Sequence, residues 1–337
     1  MKIKFEHSLI TVFLLCGCNR QTGDFLSNPR KIHGEAIAAD CLIGSPVEIV
    51  CSDSYLFFYD RYDGQMITML DAANGRRLRR FINEGQGPDD ALPPLKLSVA
   101  EGGKLEVFQI QNGRMREYDA GSLADATTKD PFRERVLEDR PANVRKTADG
   151  FVGIGMYEDG RYRLYDETGK AVGAVGRYPF RGKDMSAQEA FFLYQGVLCA
   201  SPDGTHFALG SAYCDNLEFY RVEKGGATPV RQYETVDVSG HFDRQVILDD
   251  DCVMNYKAAC GTERYCYMLY SGEKFGERHV RSTGGKTVIV FDWKGNHVRT
   301  LETAETVYSF CVDEANGILY AVTRDGEEGF VITRYKL

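Results

Sequence analysis

Long hydrophobic segments, an excess of basic charge and common catalytic signatures are missing from this sequence. No run of 18 or more apolar residues occurs, so the sequence predicts no membrane-spanning helix. Lys and Arg number 41 against 49 Asp and Glu, and the net charge of −8 argues against nucleic-acid binding, which requires a basic surface. There is no CxxC pair and no Gly-x-Ser-x-Gly elbow of a serine hydrolase. The sequence therefore suggests no nucleic-acid partner, no cofactor, no metal and no catalytic residue.

What the sequence does contain is a repeat of short β-strands. Six times, a polar turn leads directly into a short apolar strand, and most copies begin roughly 50 residues apart. The copies occupy residues 52–59, 102–109, 149–156, 203–210, 250–257 and 316–323. A self-similar period of this length, built from strands, is typical of repeat architectures.

We interpret each repeat as an antiparallel meander of four strands, called a to d from the centre outward. Asn-Gly and Asp-Gly turns between apolar segments favour such hairpins. The predicted fold class is therefore all-β, a six-bladed β-propeller with four-stranded antiparallel blades. The predicted blades span residues 46–90, 95–140, 143–190, 195–237, 245–303 and 307–337.

The last repeat supplies only three strands, because the sequence ends directly after its strand c, at Tyr335-Lys336-Leu337. The missing outer strand is expected from the N-terminal segment near Lys31–Ile37. This pairing would close the ring and remove its exposed sheet edges.

The repeat is interrupted in three places, and local function is expected there because long loops often carry binding residues. These are the loop at 81–90, the long connection at 177–195 and a polar insertion at 272–285. One helical turn is expected around Ala187–Phe192.

The N-terminus has the pattern of an export signal. Lys2 and Lys4 precede a mostly apolar segment, which ends in Leu15-Cys16-Gly17-Cys18. This ending resembles the bacterial lipobox, which implies that Cys18 becomes a lipidated N-terminus. The alternative is a plain hydrophobic N-terminal strand with two incidental cysteines.

The lipobox resemblance implies three regions: a signal peptide at 1–17, a lipidated flexible tether at 18–30 and the propeller at 31–337. Asn rather than Asp follows Cys18, so the inner-membrane retention signal is absent. We expect an outer-membrane lipoprotein that faces the periplasm, is held by its N-terminal lipid alone and is monomeric.

Eight cysteines would remain besides Cys16 and Cys18, and their spacing is irregular. Cys51, Cys199 and Cys311 lie in apolar strands, where a small buried hydrophobic role is expected. A local disulfide among Cys252, Cys260 and Cys266 is left open, since an export compartment permits disulfides.

With these features in place, the chain resembles a family of six-bladed, TolB-like β-propeller lipoproteins of Bacteroidota. The resemblance rests on the lipobox, on the Gly-Pro loop at 81–90, and on segments 210–220 and 310–337. It covers nearly the whole mature chain. It implies the fold and an envelope location but no chemistry.

Two loops are candidate ligand-binding sites. Gly85, Gly87 and Asp89 lie in the first, where glycines could let backbone N–H groups approach an anion. The loop lacks Gly-Lys-Ser/Thr and a following helix, so it is not a P-loop. The alternative is an inter-blade corner that requires positive φ at glycine.

The second candidate loop contains Tyr213, Asp215 and Asn216 at the end of a strand. These side chains could line a binding face, or Asp215 could simply cap turn N–H groups. Acids recur at the hairpins of several blades, which favours a turn-forming role over catalysis. They are Asp53, Asp149, Asp203, Asp250, Asp251 and Asp313.

The leading functional hypothesis is a membrane-anchored binding protein of the cell envelope with a protein, peptide or glycan partner. The alternative is a metal-dependent lyase or lactonase acting at the central channel. His, Asp or Glu side chains converging at one channel mouth would favour the enzyme. The histidines at 33, 206, 241, 279 and 297 do not recur at matching positions. A scaffold role like that of the TolB propeller would rest on fold analogy alone.

Overall fold

The chain folds into a ring of six antiparallel β-sheets, as predicted. The computed structural model describes residues 25–37, 43–44, 46–61, 64–125, 131–179, 185–234, 242–243, 245–246, 250, 252–276, 284–325 and 329–337. The expected signal peptide, Cys18 and most of the expected tether therefore lie outside the described residues. Within the described ranges, no helix combines the length and apolar character that membrane spanning requires.

Two short strands precede the ring and belong to its last two blades. They are β1 (Arg30–Ile32) and β2 (Gly34–Ile37). Blade 1 consists of β3 (Pro46–Ser52), β4 (Tyr55–Asp60), β5 (Gln65–Asp71) and β6 (Arg77–Asn83). Blade 2 consists of β7 (Leu95–Ala100), β8 (Lys104–Gln109), β9 (Arg114–Asp119) and β10 (Phe132–Val136), with the short helix α1 (Ala120–Ala124) between its last two strands.

The middle of the chain forms blades 3 and 4. Blade 3 consists of β11 (Asn143–Thr147), β12 (Gly150–Ile154), β13 (Tyr162–Tyr165) and β14 (Ala171–Val175), and helix α2 (Ala187–Tyr194) follows it. Blade 4 consists of β15 (Gly196–Ala200), β16 (His206–Ser211), β17 (Asn216–Glu223) and β18 (Gly226–Glu234). A small hairpin, β19 (Phe242–Asp243) and β20 (Gln245–Val246), precedes blade 5.

The last two blades complete the ring. Blade 5 consists of β21 (Tyr256–Gly261), β22 (Tyr265–Tyr270), β23 (Gly285–Asp292) and β24 (His297–Val307). Blade 6 consists of β25 (Ser309–Asp313), β26 (Ile318–Asp325) and β27 (Gly329–Lys336). The six innermost strands contact one another in sequence, and β25 contacts β3 to close the circle.

Blade 6 receives its fourth strand from the N-terminal segment, which confirms the predicted closure. Strand β2 pairs antiparallel with β27, with Gly34 opposite Tyr335 and Ile37 opposite Ile332. The edge of β27 is thereby covered by an N-terminal strand, and β2 becomes the short outer strand of blade 6.

Strand β1 was not predicted. It pairs in parallel with β24, with Arg30 opposite Leu301, and adds a fifth strand to blade 5. Phe25, ahead of it, packs edge-on against Tyr233 and Phe291 at ring-centroid distances of 5.1 Å. The packed region therefore begins ahead of residue 31, where the tether was expected to end, because an aromatic side chain finds an apolar site between blades 4 and 5.

The core lies between the blades rather than within one sheet. Strand β4 is buried along almost its whole length, since each face of the sheet packs on a neighbouring blade. The apolar set that joins blades 1 and 2 includes Phe57, Met69, Leu97 and Val107. This double coverage explains why the inner strands read as uniformly apolar in the sequence.

Antiparallel order places the turns alternately on two faces of the ring. We call the face with the a–b and c–d turns the lower face, and the face with the b–c turns and d–a connections the upper face. On the lower face, Ser52 donates a hydrogen bond from Oγ to Gly103 O at 2.7 Å, which joins the a–b turns of blades 1 and 2. Ala148 N donates to Gly204 O at 3.0 Å and joins those of blades 3 and 4.

Candidate functional site

The described parts of all three interruptions lie on the upper face, on different blades. The segments at 81–90 and 177–195 lead from an outer strand to the next inner strand, and 272–285 joins strands b and c of blade 5; residues 180–184 and 277–283 are outside the described part. The turn at 211–216 is the b–c turn of blade 4 and lies on the same face. The two predicted loop sites are nevertheless apart, because one joins blades 1 and 2 and the other lies on blade 4, across the ring.

The loop with Gly85 and Gly87 is filled by its own acid. Gly87 N donates to Asp90 Oδ2 at 3.0 Å, so the carboxylate of Asp90 occupies the place that an external anion would take. A Cβ at Gly85 or Gly87 would lie only 2.5 or 2.7 Å from that oxygen. Neither glycine has a positive φ, whereas Ile82 does, at 61°. The expected reason for these glycines was wrong: they permit close approach of Asp90 rather than a left-handed turn.

A buried arginine fixes the same loop to blade 2. Arg116 on β9 is 1 % exposed and donates to Asp89 O and Pro88 O, both at 3.0 Å. Its Nε donates to Glu134 Oε2 at 2.9 Å, and its guanidinium lies over the Phe132 ring. Asp89 itself is exposed. These contacts give the loop an anchoring role at the corner between blades 1 and 2.

In the second predicted site, the three residues have different environments. Asn216 begins β17 and is 1 % exposed, with its Oδ1 accepting a hydrogen bond from Arg161 Nη1 at 2.9 Å. Asp215 is half-buried beside Tyr256 and contributes to raising the pKa of that phenol, after burial itself. Tyr213 is half-buried and stacks on Phe192 of α2, with ring centroids 5.9 Å apart. Of these three, Tyr213 extends a surface, whereas Asn216 belongs to the interior.

The interior group around Asn216 is centred on an ion pair that sequence reasoning missed. Arg161 and Glu218 are 1 % and 0 % exposed, and Arg161 Nη1 lies 2.6 Å from Glu218 Oε1. Arg161 Nη2 donates to Ser211 Oγ at 3.0 Å and to Tyr194 O at 3.2 Å. Burial lowers the pKa of Arg161, but the Glu218 carboxylate and the neighbouring tyrosines together raise it above its ordinary value, so the guanidinium is charged.

Aromatic rings surround this ion pair and complete its shielding from solvent. The Arg161 guanidinium lies 5.2 Å from the centroid of the Tyr194 ring and 5.8 Å from that of Tyr178. Glu218 also accepts hydrogen bonds from Tyr162 Oη and, at 2.7 Å, from Gln232 Nε2. One buried guanidinium thereby joins blade 3, the C-terminus of α2 and the b–c turn of blade 4.

Helix α2 is built to present one face outward. Ser186 caps it, with Ser186 Oγ accepting from Glu189 N and the Glu189 side chain accepting from Ser186 N. The helix buries Ala187, Ala190, Leu193 and Tyr194 toward the ring. It confirms the expected helical turn and extends it by two residues.

Large apolar side chains are exposed on upper-face segments of blades 3 to 5, one of them on the outward face of α2. Met156, Phe192 and Val253 are 59 %, 43 % and 36 % exposed and all lie in upper-face segments. Phe192 stacks on Tyr213, whose carbonyl accepts a hydrogen bond from Cys252 Sγ at 3.6 Å, next to Val253. We call Met156, Phe192, Tyr213 and Val253 the upper patch. Large apolar groups exposed together on one face are typical of interaction surfaces.

A central channel of about 850 Å³ is lined by the inner strands of all six blades. Glu48 on β3 and Arg145 on β11 lie across it at 3.5 Å, and Glu48 Oε2 accepts from Leu97 N at 2.7 Å. Glu106 on β8 also lines the channel and is 1 % exposed. Burial raises the pKa of Glu106, and the hydrogen bond from Ser98 and the nearby Arg145 offset this in part.

Comparison with known proteins agrees with this geometry. The sequence model of the family described as TolB-like 6-blade propeller-like matches residues 27–315. The chain belongs to this TolB-like family.

Two solved structures similar to this TolB-like propeller are distant from it in sequence. One is a Bacteroides fragilis NCTC 9343 protein described as a candidate exported protein, with a TM-score of 0.59, 12 % identity, and coverage of 91 % of this chain and 94 % of that chain. Another is the β-propeller domain of Cps50 (Swd1) from Myceliophteria thermophila, with a TM-score of 0.52, 10 % identity, and coverage of 90 % and 99 %. A search of curated proteins finds no match. At these identities the likeness concerns the fold alone.

The cysteines of the TolB-like propeller do not form the local disulfide that was left open. Cys252, Cys260 and Cys266 are free thiols. Cys260 lies opposite Tyr267 in the β21–β22 ladder and Cys266 lies opposite Gly261, so the two side chains point to opposite faces of the sheet. Cys252 lies at Tyr213 on the upper face. As expected, Cys199 and Cys311 are buried, whereas Cys51 is half-buried.

Two of the described histidines, His206 and His297, pack against aromatic side chains. His206 stacks on Trp293 at 6.0 Å, and burial lowers its pKa. His297 packs beside Phe25, and its pKa is lowered by burial as well. Across the described part of the chain, no three His, Cys, Asp or Glu side chains come close enough to hold a metal ion.

Proposed function

We propose that this TolB-like propeller is a lipid-anchored binding protein of the cell envelope that holds a protein or peptide partner on its upper face. The observation that carries the proposal is the upper patch. Met156, Phe192 and Val253 are exposed on one face, and the buried Arg161–Glu218 pair fixes the segments that carry Phe192 and Tyr213. A rigid surface binds with less loss of conformational entropy than a mobile one.

The composition of the upper patch favours a protein or peptide over a glycan. Met156, Phe192 and Val253 offer no side-chain hydrogen-bonding groups for sugar hydroxyls, whereas aromatic residues and Met are enriched at protein interfaces. The predicted loop residues Gly85, Gly87 and Asp89 lie across the ring from this surface and are assigned to the corner of the fold. Asp215 and Asn216 support the surface from behind, and Tyr213 belongs to it.

The envelope location is supported by the lipobox-like Leu15-Cys16-Gly17-Cys18 and by the similarity to a candidate exported protein. Replacing Cys18 by Ala removes the acylated side chain. We expect the Cys18→Ala protein to move from the membrane fraction to the soluble fraction. If Cys18→Ala still fractionates with membranes, the lipid anchor is wrong.

Binding on the upper patch can be tested with paired variants in envelope extracts. Phe192→Ser and Met156→Ser each add a polar group where a partner would contact the patch, and Val172→Ser is the matched control. Val172 is 55 % exposed on the outer strand β14, away from the upper face. We expect both patch variants to lose the captured partner at least ten-fold while Val172→Ser retains it, since an apolar anchor at an interface contributes about 1–3 kcal/mol. Equal capture by all three variants would contradict the assignment of this face.

The enzyme hypothesis lacks a corresponding observation. It requires acids and histidines that converge within metal-ligand reach at one channel mouth, and within the ranges described no three such side chains come close enough to hold a metal ion. The functional conclusion therefore rests on binding.

A further inference from the structure

Every blade carries a carboxylate in its a–b turn on the lower face, and Asp53, Glu101, Glu263 and Glu314 also line the lower mouth of the central channel. The acids stand in the six a–b turns and are Asp53, Glu101, Asp149, Asp203, Glu263 and Glu314. Among the described residues of these turns, Arg264 is the single basic side chain, and its Nε lies 2.8 Å from Glu314 Oε1. The mouth is therefore strongly acidic.

The acids of the lower mouth also form local turns, which agrees with the expectation from their recurrence. Asp203 Oδ1 accepts from Thr205 N at 3.0 Å, for example. Turn formation does not remove their charge, and hydrogen bonds to Asp203 lower its pKa despite partial burial. A ring of one sign at the entrance of a low-dielectric channel concentrates ions of the opposite sign there.

A second and independent observation lies inside the channel wall. Glu106 Oε2 accepts from Ser98 Oγ at 2.8 Å, but Glu106 Oε1 has no hydrogen-bond partner among the described residues. The side chain is 1 % exposed and lines the channel. A buried carboxylate oxygen without a donor is energetically unfavourable, so a donor supplied from the channel would stabilise it.

Glu106 lies about halfway along the channel. It pairs in register with Ser98, the fourth of the six residues of β7, and Glu101 of the acidic mouth follows directly after that strand. The spacing from Ser98 to Glu101 is about 10 Å, since a strand rises roughly 3.3 Å per residue. A cation can therefore span the distance from mouth to Glu106 if it carries a short chain.

Basic side chains oppose further passage. Lys96 and Lys257 lie near the upper ends of β7 and β21, and Arg145 lines the middle of the channel beside Glu48. The charge of the channel thus changes from acidic at the lower mouth to basic toward the upper face. A cation that enters from below reaches Glu106 at about the depth of Arg145 and before Lys96 and Lys257, and the charges of Arg145 and Lys146 also act on Glu106.

We infer that the channel binds a small organic amine, which enters through the lower mouth and donates a hydrogen bond from its ammonium group to Glu106. A bare metal ion fits less well, because in the described part of the chain no three ligand side chains converge. The channel volume of about 850 Å³ accommodates an alkyl diamine with its ammonium groups at Glu106 and at the mouth. This site is separate from the upper patch.

Calorimetric titration with 1,5-diaminopentane tests the inference directly. Glu106→Gln keeps the shape of the side chain and removes its charge, and we expect diamine binding at least ten-fold weaker than in the wild type. Glu35→Gln is the matched control, since Glu35 is 78 % exposed on the outer strand β2 and loses the same charge. Binding by the control should equal that of the wild type.

The double variant Glu101→Gln/Glu263→Gln tests the acidic mouth. We expect it to weaken binding several-fold in about 20 mM salt and hardly at all in about 300 mM salt, because salt screens exposed charges. No binding by the wild type, or equal binding by wild type and Glu106→Gln, would overturn the inference. Equal weakening in Glu35→Gln would reduce it to nonspecific charge attraction and overturn it too.

A measurement on the wild type alone guards against a Glu106→Gln protein that fails to fold. 1,5-Bis(trimethylammonio)pentane has the same charges as the diamine but no N–H donor. We expect it to bind at least ten-fold more weakly. Equal affinity for both ligands would rule out the hydrogen bond to Glu106.

Discussion

Removing the buried guanidinium of Arg161 should strongly destabilise the propeller. Arg161→Met leaves an apolar side chain of similar length and strands the Glu218 carboxylate, which is 0 % exposed, without its cation. It also removes the donors that Ser211, Asn216 and the Tyr194 carbonyl use. Removing one partner of a buried ion pair costs about 3–5 kcal/mol, because the remaining charge is buried and uncompensated.

The corresponding change in melting temperature follows from the size of the domain. Unfolding entropy is about 2.1 cal/mol/K per residue, or roughly 0.6 kcal/mol/K for a domain of about 300 residues. Arg161→Met should therefore lower Tm by about 5–8 °C, measured by calorimetry or by circular dichroism. Hydrogen exchange should show that amides of α2 and of the turn at 211–216 lose protection first, because these segments depend on Arg161.

A double variant separates the charge from the packing. Arg161→Met/Glu218→Leu removes both charges, and replacing a buried pair by apolar residues is often neutral or stabilising. We expect the double variant to regain most of the stability lost in Arg161→Met. A loss below about 1 kcal/mol in Arg161→Met, or a double variant less stable than either single variant, would refute the reasoning.

Three further predictions concern other sites. Burial raises the pKa of Glu106 above its ordinary value of 4.5, so the free energy of unfolding falls as the pH rises from about 4.5 through the folded-state pKa. Glu106→Gln should therefore stabilise the protein more at pH 7 than at pH 4, as measured by denaturant unfolding. A Cβ at Gly34 would lie 2.3 Å from Thr333 Cγ2, so Gly34→Val should lower the free energy of unfolding by about 1–3 kcal/mol in the same assay. Gly173 on β14 has open space around it, and Gly173→Val should change that free energy by less than about 0.5 kcal/mol. Arg116→Met should speed hydrogen exchange across residues 85–90, and unchanged protection there would contradict the anchoring role.

The repeat predicts the architecture well because strands and turns are local signals. Six copies predict six blades, and the missing fourth strand of the last repeat predicts that β2 pairs with β27. Strand β1 has no such signal. It is three residues long and forms only because the outer edge of β24 is available in the folded ring.

The sites were harder to predict because their contacts join distant parts of the chain. From the sequence, Asn216 was expected to be a surface residue of a turn. Its hydrogen-bond partner Arg161 lies 55 residues earlier in the chain, on another blade. Glu106 did leave a signal, since it interrupts the apolar run Leu105-Glu106-Val107-Phe108 inside a strand that should be buried on both faces. An acid in such a run is either paired or functional, and the sequence alone does not distinguish the two cases.

The direction of β1 determines how the ring would stand on a membrane. Strand β1 runs parallel to β24, which ascends from the lower to the upper face, so the chain enters the ring from the lower side. From Cys18 to Phe25 there are seven residue steps, which reach about 25 Å at most when fully extended. If Cys18 carries the lipid, Phe25 lies within that distance of the headgroups, the lower face with the acidic mouth is turned toward the bilayer, and the upper patch points away from it. The lower face would then be exposed to small solutes near the membrane, and the upper patch would be free to bind the protein partner.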